Sequence, residues 1–230
     1  MKKNFGLWVG IIIGVLLLIG VLFFFLKSET QESDALKFKR EYEMLNDTIR
    51  ESDGAKYNNV VIAENNPIQY ISATEAVQKL KSESGIFYFG ANWCPWCRNA
   101  IEVLFEAAKE ENLDTIYYVD MDTVRNIWEI KEKQLVKTKV EGDGYYDLLN
   151  ALDSVLKGNY ILTDADGTKY DTNEKRIGMP LIISVRDGDI LESHTGTVKL
   201  NENQTKYSKL EKNQIVELKN VYQSMIQKTK

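Results

Sequence analysis

The hydrophobic and polar positions change their spacing several times along the chain, beginning with a continuous apolar stretch. Residues 5–26 contain no charged side chain. At about 1.5 Å per helical residue, this stretch spans about 33 Å, which is enough for a hydrocarbon core of about 30 Å. The stretch runs directly into Lys27 without a small-x-small cleavage site. The pattern therefore predicts an uncleaved membrane anchor over residues 1–27.

The charges beside the apolar stretch predict its orientation. Lys2 and Lys3 precede it, whereas only Lys27 follows it closely. Because positively charged flanks tend to remain in the cytoplasm, we expect a cytoplasmic N-terminus and an external position for residues 28–230. The expected location is the cell membrane, crossed once, with the C-terminal domain extracytoplasmic.

A helical linker segment is predicted for residues 28–59. Apolar residues recur there at alternating spacings of three and four, at Ala35, Phe38, Tyr42, Leu45 and Ile49. Ser52-Asp53-Gly54 is expected to end this helix. The stripe is compatible with a coiled-coil stalk, but it covers fewer than three heptads, so we favour a helix packed against the following domain.

From about Val60 the pattern alternates between short apolar runs and helical periods. The runs at 68–71, 86–89 and 115–119 predict strands. One helix is expected to begin at a Ser-x-x-Glu capping box, Ser72 to Glu75, and another directly after the segment Trp93 to Cys97. Continuous apolar strands separated by helices predict an α/β domain over residues 60–230, with a parallel sheet covered on both faces.

The second half of this domain has a different pattern. Residues 123–158 predict a helical insertion, because one helical face would carry Tyr145, Leu148, Leu149, Leu152, Val155 and Leu156. Asp166-Gly167 and Asp187-Gly188 each separate two β-favouring runs and predict two hairpins. A final helix is predicted from about Asn203 to Gln227.

Composition and charge exclude several classes of protein. The chain has 230 residues, 43% hydrophobic and 27% charged, which excludes a collagen-like or wholly disordered protein. Two cysteines are too few for a disulfide-stapled miniprotein. Three of the 29 basic residues precede Ser28, which leaves 26 basic against 34 acidic residues beyond the predicted anchor. We therefore expect no nucleic-acid partner.

The candidate chemistry lies in Cys94-Pro95-Trp96-Cys97, which contains both cysteines of the chain. Two thiols at this spacing can close a small disulfide ring, and the positive end of a helix stabilises a thiolate on the first. Cys94 is therefore the predicted exposed nucleophile, and Cys97 the more buried thiol that resolves a mixed disulfide. Pro95 suits the first helical turn, where its missing N–H costs nothing.

Other functions of these residues are less favoured. A zinc site needs more ligands than one cysteine pair and the only histidine, His194, which falls in a predicted strand and is expected to face solvent. We expect no metal and no cofactor. Trp93 and Trp96 flank the dithiol, and we interpret them as part of a surface that receives substrate chains rather than as core residues.

Two segments resemble the thioredoxin superfamily. Residues 89–97 combine an aromatic strand end, a short loop and a Trp-Cys-x-x-Cys motif. Residues 178–189 match a Gly-x-Pro loop followed by an apolar strand and a turn, and Gly196 follows the second hairpin strand. The resemblance covers roughly residues 60–228. The chain is also similar to membrane-anchored thioredoxin-like proteins of Gram-positive bacteria, some of them bacteriocin transport accessory proteins.

The resemblance implies a thioredoxin-like fold, a mixed sheet flanked by helices, here with the helical insertion. It also implies that the backbone of Met179 pairs with an extended substrate chain, so Met179 and Pro180 join Trp93 and Trp96 as expected substrate-binding residues. We predict a cis Met179–Pro180 bond beside the dithiol, since an X-Pro bond loses only about 0.5–1 kcal/mol on going cis. Gly178 is expected to leave room for the dithiol loop.

The chain also departs from the family. Tyr88 stands where thioredoxin has a buried acidic residue, which removes a carboxylate proton relay. Pro95-Trp96 lacks the His found in strongly oxidising relatives. The redox direction of the dithiol therefore stays open between reductase, oxidase and isomerase.

Two functions from different classes follow. The first is a membrane-tethered thiol–disulfide oxidoreductase that acts through Cys94 and Cys97. Its partners would be extracytoplasmic protein clients with thiols or disulfides, an electron-transfer partner, and the membrane through residues 5–26. The alternative is a redox-inactive accessory or binding module in which the two cysteines form a static disulfide. An intact dithiol with a preceding Trp and a family-like Pro loop favours the enzyme.

Overall fold

The computed structural model describes residues 32–51 and 53–230. Residues 34–230 form one compact unit. The predicted anchor over residues 1–27 lies outside the described residues. Within the part of the chain that is described, no helix combines the length and apolar character needed to cross a bilayer.

The described elements alternate between helices and strands. The helices are α1 Asp34–Glu43, α2 Ala73–Lys79, α3 Pro95–Glu110, α4 Met121–Val124, α5 Tyr145–Ala151 and α6 Lys212–Lys228. The strands are β1 Ile68–Tyr70, β2 Gly85–Gly90, β3 Ile116–Asp120, β4 Ile127–Lys131, β5 Gln134–Lys139, β6 Asn159–Thr163, β7 Lys169–Lys175, β8 Leu181–Arg186 and β9 Asp189–Thr195.

Five strands form the central sheet, in the order β1-β3-β2-β8-β9. β1, β3 and β2 are parallel, whereas β8 runs antiparallel to β2 and β9 antiparallel to β8. The sheet is therefore mixed and flanked by helices, as the resemblance implied. The strands of the first half, β1, β3 and β2, are parallel, as their pattern predicted, and the two strands of the predicted Asp187-Gly188 hairpin add the antiparallel part. The antiparallel pairing of β8 with β9 follows from the tight Asp187-Gly188 turn, because a two-residue turn can join only antiparallel neighbours.

The central strand β2 explains the continuous apolar run. Its residues Ile86 to Phe89 have no exposed surface, because both faces of the sheet are covered. Ile86 and Tyr88 belong to one core with the dithiol helix, while Phe87 and Phe89 belong to a second core on the other face. The dithiol helix α3 begins a few residues after β2 and packs on the Tyr88 face.

Helix α1 contributes to the domain core. Phe38 and Tyr42 are fully buried, and their rings stack at 4.2 Å between centroids. The helix thus packs against the domain, as we favoured over a stalk. It ends at Glu43, earlier than predicted, and Ile49 is 66% exposed. The periodic apolar positions therefore extend to Ile49, although the helix and its contact with the core end earlier.

The prediction of a helical insertion over residues 123–158 is wrong for its first half. β4 and β5 form an antiparallel hairpin there, and burial alternates along both strands. The turn places Glu132 and Lys133 at φ values of 50° and 61°. Such turns are normally signalled by Gly or Asn, and neither is present. In the second half, α5 is helical, and Tyr145 and Leu148 of the predicted apolar face are buried.

The remaining local predictions hold with shifted ends. Ser72 and Glu75 form the predicted reciprocal capping box at the start of α2. Both predicted hairpins are present as β6–β7 and β8–β9. Helix α6 begins at Lys212 rather than near Asn203. The Glu211 backbone N–H donates to Gln214 Oε1 at 2.8 Å in a capping box at this start, and the preceding residues form turns.

Candidate active site

The dithiol lies where β2 leads into α3. Cys94 is the N-cap residue of α3, and its Sγ accepts a hydrogen bond from the Cys97 backbone N–H at 3.4 Å. Pro95 is the first helical residue, as predicted. Both cysteines are free thiols. The helix start thus directs a backbone donor at the first sulfur, which is the arrangement that stabilises a thiolate.

The two thiols have opposite pKa shifts. The pKa of Cys94 is lowered, chiefly by a hydrogen bond from the Cys97 side chain; backbone donors and the nearby Arg125 guanidinium help, against the effect of burial. Burial raises the pKa of Cys97 well above its usual value, and Cys94 adds to the increase. The surroundings therefore favour a thiolate at Cys94, as predicted, and keep the more buried Cys97 protonated.

The exposure of Cys94 differs from the prediction. Cys94 is only 4% exposed, against 0% for Cys97. Its Sγ lies 3.6 Å from the carbonyl oxygen of Met179, so the proline loop covers it from the opposite side. Cys94 remains the more accessible of the two thiols, but a client disulfide has to approach closely against Met179.

The Met179–Pro180 peptide bond is cis, as predicted. The Pro180 carbonyl accepts a hydrogen bond from the Gly196 N–H at 2.8 Å, and Gly196 has a positive φ of 81°. The role expected of Gly178 is wrong, because the atom nearest to a Cβ added there is Cγ2 of Thr195, at 3.0 Å, and not the dithiol loop. Gly178 therefore accommodates β9, which lies beside the proline loop.

The tryptophans beside the dithiol are half-buried. The Trp93 indole N–H donates to Asp122 Oδ1 at 3.0 Å. The backbone carbonyl of Trp93 accepts a hydrogen bond from Arg50 Nη1 at 2.8 Å. Asp122 lies in α4 and Arg50 in the segment after α1, so two distant segments fix this residue. Trp96 packs against the core that contains the dithiol. Both residues are partly exposed.

Four buried tyrosines surround the inner side of Cys97. Tyr42, Tyr88, Tyr118 and Tyr222 are at most 2% exposed, and burial raises the pKa of each. The hydroxyl groups of Tyr42 and Tyr88 are 2.8 Å apart. Tyr88 and Cys97 belong to the same buried core. Position 88 therefore places a buried hydroxyl group, and not a carboxylate, in the core that contains Cys97.

Arg98 follows Cys97 and is 1% exposed. Its guanidinium donates to the backbone carbonyls of Tyr42, Asn58 and Asn92 and to Asn46 Oδ1, at 2.7–3.0 Å. All four acceptors are uncharged. This side chain joins the segment after α1 to the dithiol helix. Sequence reasoning missed it, because nothing local distinguishes it from a solvent-facing helical arginine.

His194 does not face solvent as predicted. It lies in β9 and is half-buried, with its ring 5.7 Å from that of Tyr222 in an edge-on arrangement. Burial lowers its pKa. Among residues 32–51 and 53–230, no group of three or more His, Cys, Asp or Glu side chains is placed to hold a metal ion.

Comparison with known proteins gives a coarse likeness only. No family model matches the chain, and no curated protein matches it. Among solved structures, thioredoxin O2 from Arabidopsis thaliana in the oxidized state is 19% identical, with 70% of this chain and 96% of that chain covered, at a TM-score of 0.36. Thioredoxin O1 from the same plant is 17% identical, with 70% and 99% covered, at a TM-score of 0.37. Because identities and TM-scores are this low, nothing about function follows from these two proteins.

The chain's own geometry defines its class. The mixed sheet in the order β1-β3-β2-β8-β9, the dithiol at the start of α3 and the cis proline beside it together make a thioredoxin-like fold with a dithiol site. The segment with both cysteines and the proline loop are more than 80 residues apart in the sequence, and the fold brings Cys94 into contact with Met179.

Proposed function

We propose that this chain is a membrane-tethered, extracytoplasmic thiol–disulfide oxidoreductase that exchanges disulfides with protein clients through Cys94 and Cys97. The observation that carries the proposal is the contrast between two thiols in one helical turn. The pKa of Cys94 is lowered by hydrogen bonding from Cys97, and that of Cys97 is raised by burial. The lowered pKa suits Cys94 to the first attack, and Cys97 is a second thiol within one helical turn that can resolve the mixed disulfide.

In the reducing direction, the Cys94 thiolate attacks one sulfur of a client disulfide, and the departing client sulfur takes up a proton. Cys97 then loses its proton and attacks the Cys94 sulfur of the mixed disulfide. The second client thiol leaves, and a Cys94–Cys97 disulfide forms. Counting the proton that Cys94 releases on ionising, two electrons and two protons pass to the client. Oxidation of a client is the reverse, and an electron-transfer partner restores the starting state.

Client chains are proposed to bind along the proline loop. A chain held against the Met179 backbone would place its disulfide beside Cys94, since the Met179 carbonyl oxygen already lies 3.6 Å from the Cys94 sulfur. Trp93 and Trp96 would extend this surface on the other side of the dithiol. Met179 suits varied clients, because its side chain is flexible and apolar.

The proposed location rests on the sequence. The uncharged run over residues 5–26 and the lysines before it support a single span with residues 28–230 outside. Protease added to intact cells that express the full chain is expected to digest residues 28–230. Protection of these residues, or their release free of the anchor, would contradict the proposed location.

The activity has a direct test. The full chain in detergent micelles is expected to accelerate the reduction of insulin by dithiothreitol, and the Cys94→Ser variant is expected not to. The redox potential of the Cys94/Cys97 couple then gives the direction. A value near about −270 mV indicates a reductant, and one near about −120 mV an oxidant.

The 4% exposure of Cys94 favours a second candidate, a redox-inactive binding module with a static disulfide. Such a module would leave insulin reduction at the uncatalysed rate. Its Cys94–Cys97 disulfide would also persist when client disulfides and thiols are offered in turn. Catalysed insulin reduction by the unmodified chain would exclude this candidate.

A further inference from the structure

Arg125 and Arg176 come from two distant segments that the fold joins. Arg125 directly follows α4, and Arg176 directly follows β7. Beside them, Asn126 Nδ2 donates a hydrogen bond to Glu174 Oε2 at 2.9 Å. Burial lowers the pKa of Arg125, and the charge of Arg176 lowers it further, because like charges repel each other. The two guanidinium groups, called the arginine pair below, are therefore neighbours.

The arginine pair lies beside the dithiol. The Arg125 guanidinium carbon is 5.8 Å from the centre of the Trp93 ring, and Trp93 directly precedes Cys94. Arg176 belongs to the segment that leads from β7 into the proline loop, where the Met179 carbonyl oxygen is 3.6 Å from the Cys94 sulfur. A client chain that reaches Cys94 along this loop therefore passes close to the arginine pair.

The arginine pair has no counter-ion in the chain as described, from residue 32 onward except residue 52. No carboxylate there forms an ion pair with Arg125 or Arg176. The Asp122 carboxylate, which is nearest in sequence to Arg125, accepts from the Trp93 indole. The Glu174 carboxylate, which is nearest in sequence to Arg176, is engaged by four other donors, on Asn126, Trp128, Lys137 and Tyr146.

Two buried donors beside the arginine pair also lack an acceptor. Arg176 Nη1 and the Tyr145 hydroxyl have no hydrogen-bond partner among the described residues. Tyr145 is 1% exposed; burial raises its pKa to about 12, and the charges of Arg176 and Arg125 oppose this increase. Tyr145 begins α5, and the Gly142 N–H just before it donates to the Val124 carbonyl at 2.8 Å, which places this helix start next to Arg125. Because buried donors without acceptors are costly, an acceptor brought by a ligand would be stabilising.

The chemistry of these groups suits a carboxylate. A guanidinium donates parallel hydrogen bonds to the two oxygens of a carboxylate, and a tyrosine hydroxyl can donate one more. The Arg176 guanidinium carbon lies 3.9 Å from the centre of the Tyr160 ring, and that of Arg125 faces Trp93, so aromatic rings hold both cations. Both arginines are only partly exposed, and ionic hydrogen bonds are stronger there than in bulk water.

We propose that Arg125, Arg176 and Tyr145 form a subsite that binds an aspartate or glutamate side chain of the client, close to the client's reactive cysteine. This inference rests on the proposed oxidoreductase function and names the class of client, a chain with a carboxylate near its disulfide. An extended chain advances about 3.3 Å per residue, so a carboxylate a few residues from the client cysteine can reach the subsite. All three residues come from the segment between β3 and the proline loop, which would therefore select clients.

Single-turnover exchange with matched peptides tests the subsite. Each peptide carries one cysteine as a mixed disulfide with 2-thiopyridine, and paired peptides differ only in having Glu or Gln at one position near that cysteine. The Cys94 thiolate of the reduced full chain, in detergent micelles, attacks the peptide sulfur. The disulfide breaks, and 2-thiopyridone leaves with the electron pair and takes up a proton. This leaving group is uncharged, so it does not compete for the arginine pair.

The rate ratio between the Glu and Gln peptides reports the subsite. A series of peptide pairs moves the varied position along the residues on each side of the cysteine. At the best position, the unmodified chain is expected to react about tenfold faster with the Glu peptide, because the carboxylate accepts ionic hydrogen bonds. Dithiothreitol, which has no subsite, should show no preference for Glu.

Arg176→Gln is expected to lower the Glu-to-Gln ratio to that of dithiothreitol. The matched control is Lys175→Gln, which removes an equal charge one residue away, from a side chain paired with Asp153, and should keep the ratio of the unmodified chain. Tyr145→Phe should lower the ratio about threefold, because one donor is lost and both charges remain. Arg125→Gln tests the same subsite if Arg176→Gln does not fold, since its effect on Cys94 itself cancels in the ratio.

Three results would overturn the subsite while leaving the oxidoreductase function intact. The unmodified chain could show the ratio of dithiothreitol at every position. The preference for Glu could persist in Arg176→Gln, which would place the selectivity elsewhere. The ratio could fall equally in Arg176→Gln and Lys175→Gln, which would indicate an effect of overall charge. Exchange with neither peptide, at the level of Cys94→Ser, is a different failure, because it rejects the oxidoreductase function and the subsite with it.

Discussion

Cys94 and Cys97 belong to one turn of α3, but they face two different regions of the molecule. Around Cys94 lie backbone donors, the Met179 carbonyl and the Arg125 guanidinium. Around Cys97 lie buried tyrosines, and its sulfur has no exposed surface. The same side chain therefore has a lowered pKa at one position and a raised pKa three residues later. The helix start already distinguishes the first thiol from the second, and the packing around each sulfur adds to this by shifting their pKa values in opposite directions.

The largest effect that this comparison predicts is on exchange itself. Cys94→Ser is expected to lower the rate of disulfide exchange at least about a thousandfold, because the nucleophile is lost. Cys97→Ser is expected to accumulate mixed disulfides with clients, because attack still occurs and resolution does not. Quenching the reaction with acid, alkylating the remaining thiols and running non-reducing electrophoresis measures the exchange rate of the first variant and the mixed disulfides of the second. Equal trapping by the two variants, or alkylation of Cys97 before Cys94, would contradict the division of roles.

The buried side of the site also has a structural prediction. Arg98→Met is expected to lower the free energy of unfolding by about 3 kcal/mol, because one buried and three part-buried acceptors lose their donors. Urea unfolding followed by fluorescence measures this change. Arg186→Met, at an exposed arginine at the far end of β8, is the control and should stay within about 0.5 kcal/mol. A similar loss for both arginines would mean that the Arg98 contacts contribute little.

The proline loop provides a smaller test of the Cys94 side. Pro180→Ala is expected to slow the release of mixed disulfides by up to about tenfold, through loss of the loop that holds the client against Cys94. The Cys94 thiolate should form as before, since the hydrogen bonds that lower its pKa come from α3. Single-turnover release of a labelled peptide, measured beside thiolate absorbance, separates the two effects. Unchanged turnover would leave Pro180 as a strand-entry residue only.

The smallest expected effect distinguishes the causes of the Cys94 pKa. In the unmodified chain, alkylation of Cys94 should reach half its maximal rate below the usual thiol pKa of ~8.5, while Cys97 stays unreactive. Cys97→Ala removes the strongest donor and should raise this midpoint. Arg125→Gln removes a weaker, purely electrostatic influence and should raise it less. The reverse order would mean that the guanidinium, and not hydrogen bonding, controls the nucleophile.

Much of the fold could be predicted because its signals are local. The capping box at Ser72, the Asp187-Gly188 turn and the proline at position 95 each determine a structure within a few residues. The apolar run 86–89 predicted a buried strand, because it requires cover on both faces. The β4–β5 hairpin escaped prediction, since its turn uses Glu132 and Lys133 in a backbone conformation that these residues rarely adopt.

The sequence by itself determined the chemistry of the site: a dithiol at a helix start, the order of the two thiols, and a cis proline in a second segment. Only the tertiary structure decided the surroundings of each sulfur. Tyr42 and Tyr88 are 46 residues apart, and Cys94 and Met179 are 85 apart. Contacts over such separations depend on how helices cover the sheet, which no local pattern records. The pKa of a buried group depends on those contacts, because burial and neighbouring donors set the free energy of its charged form.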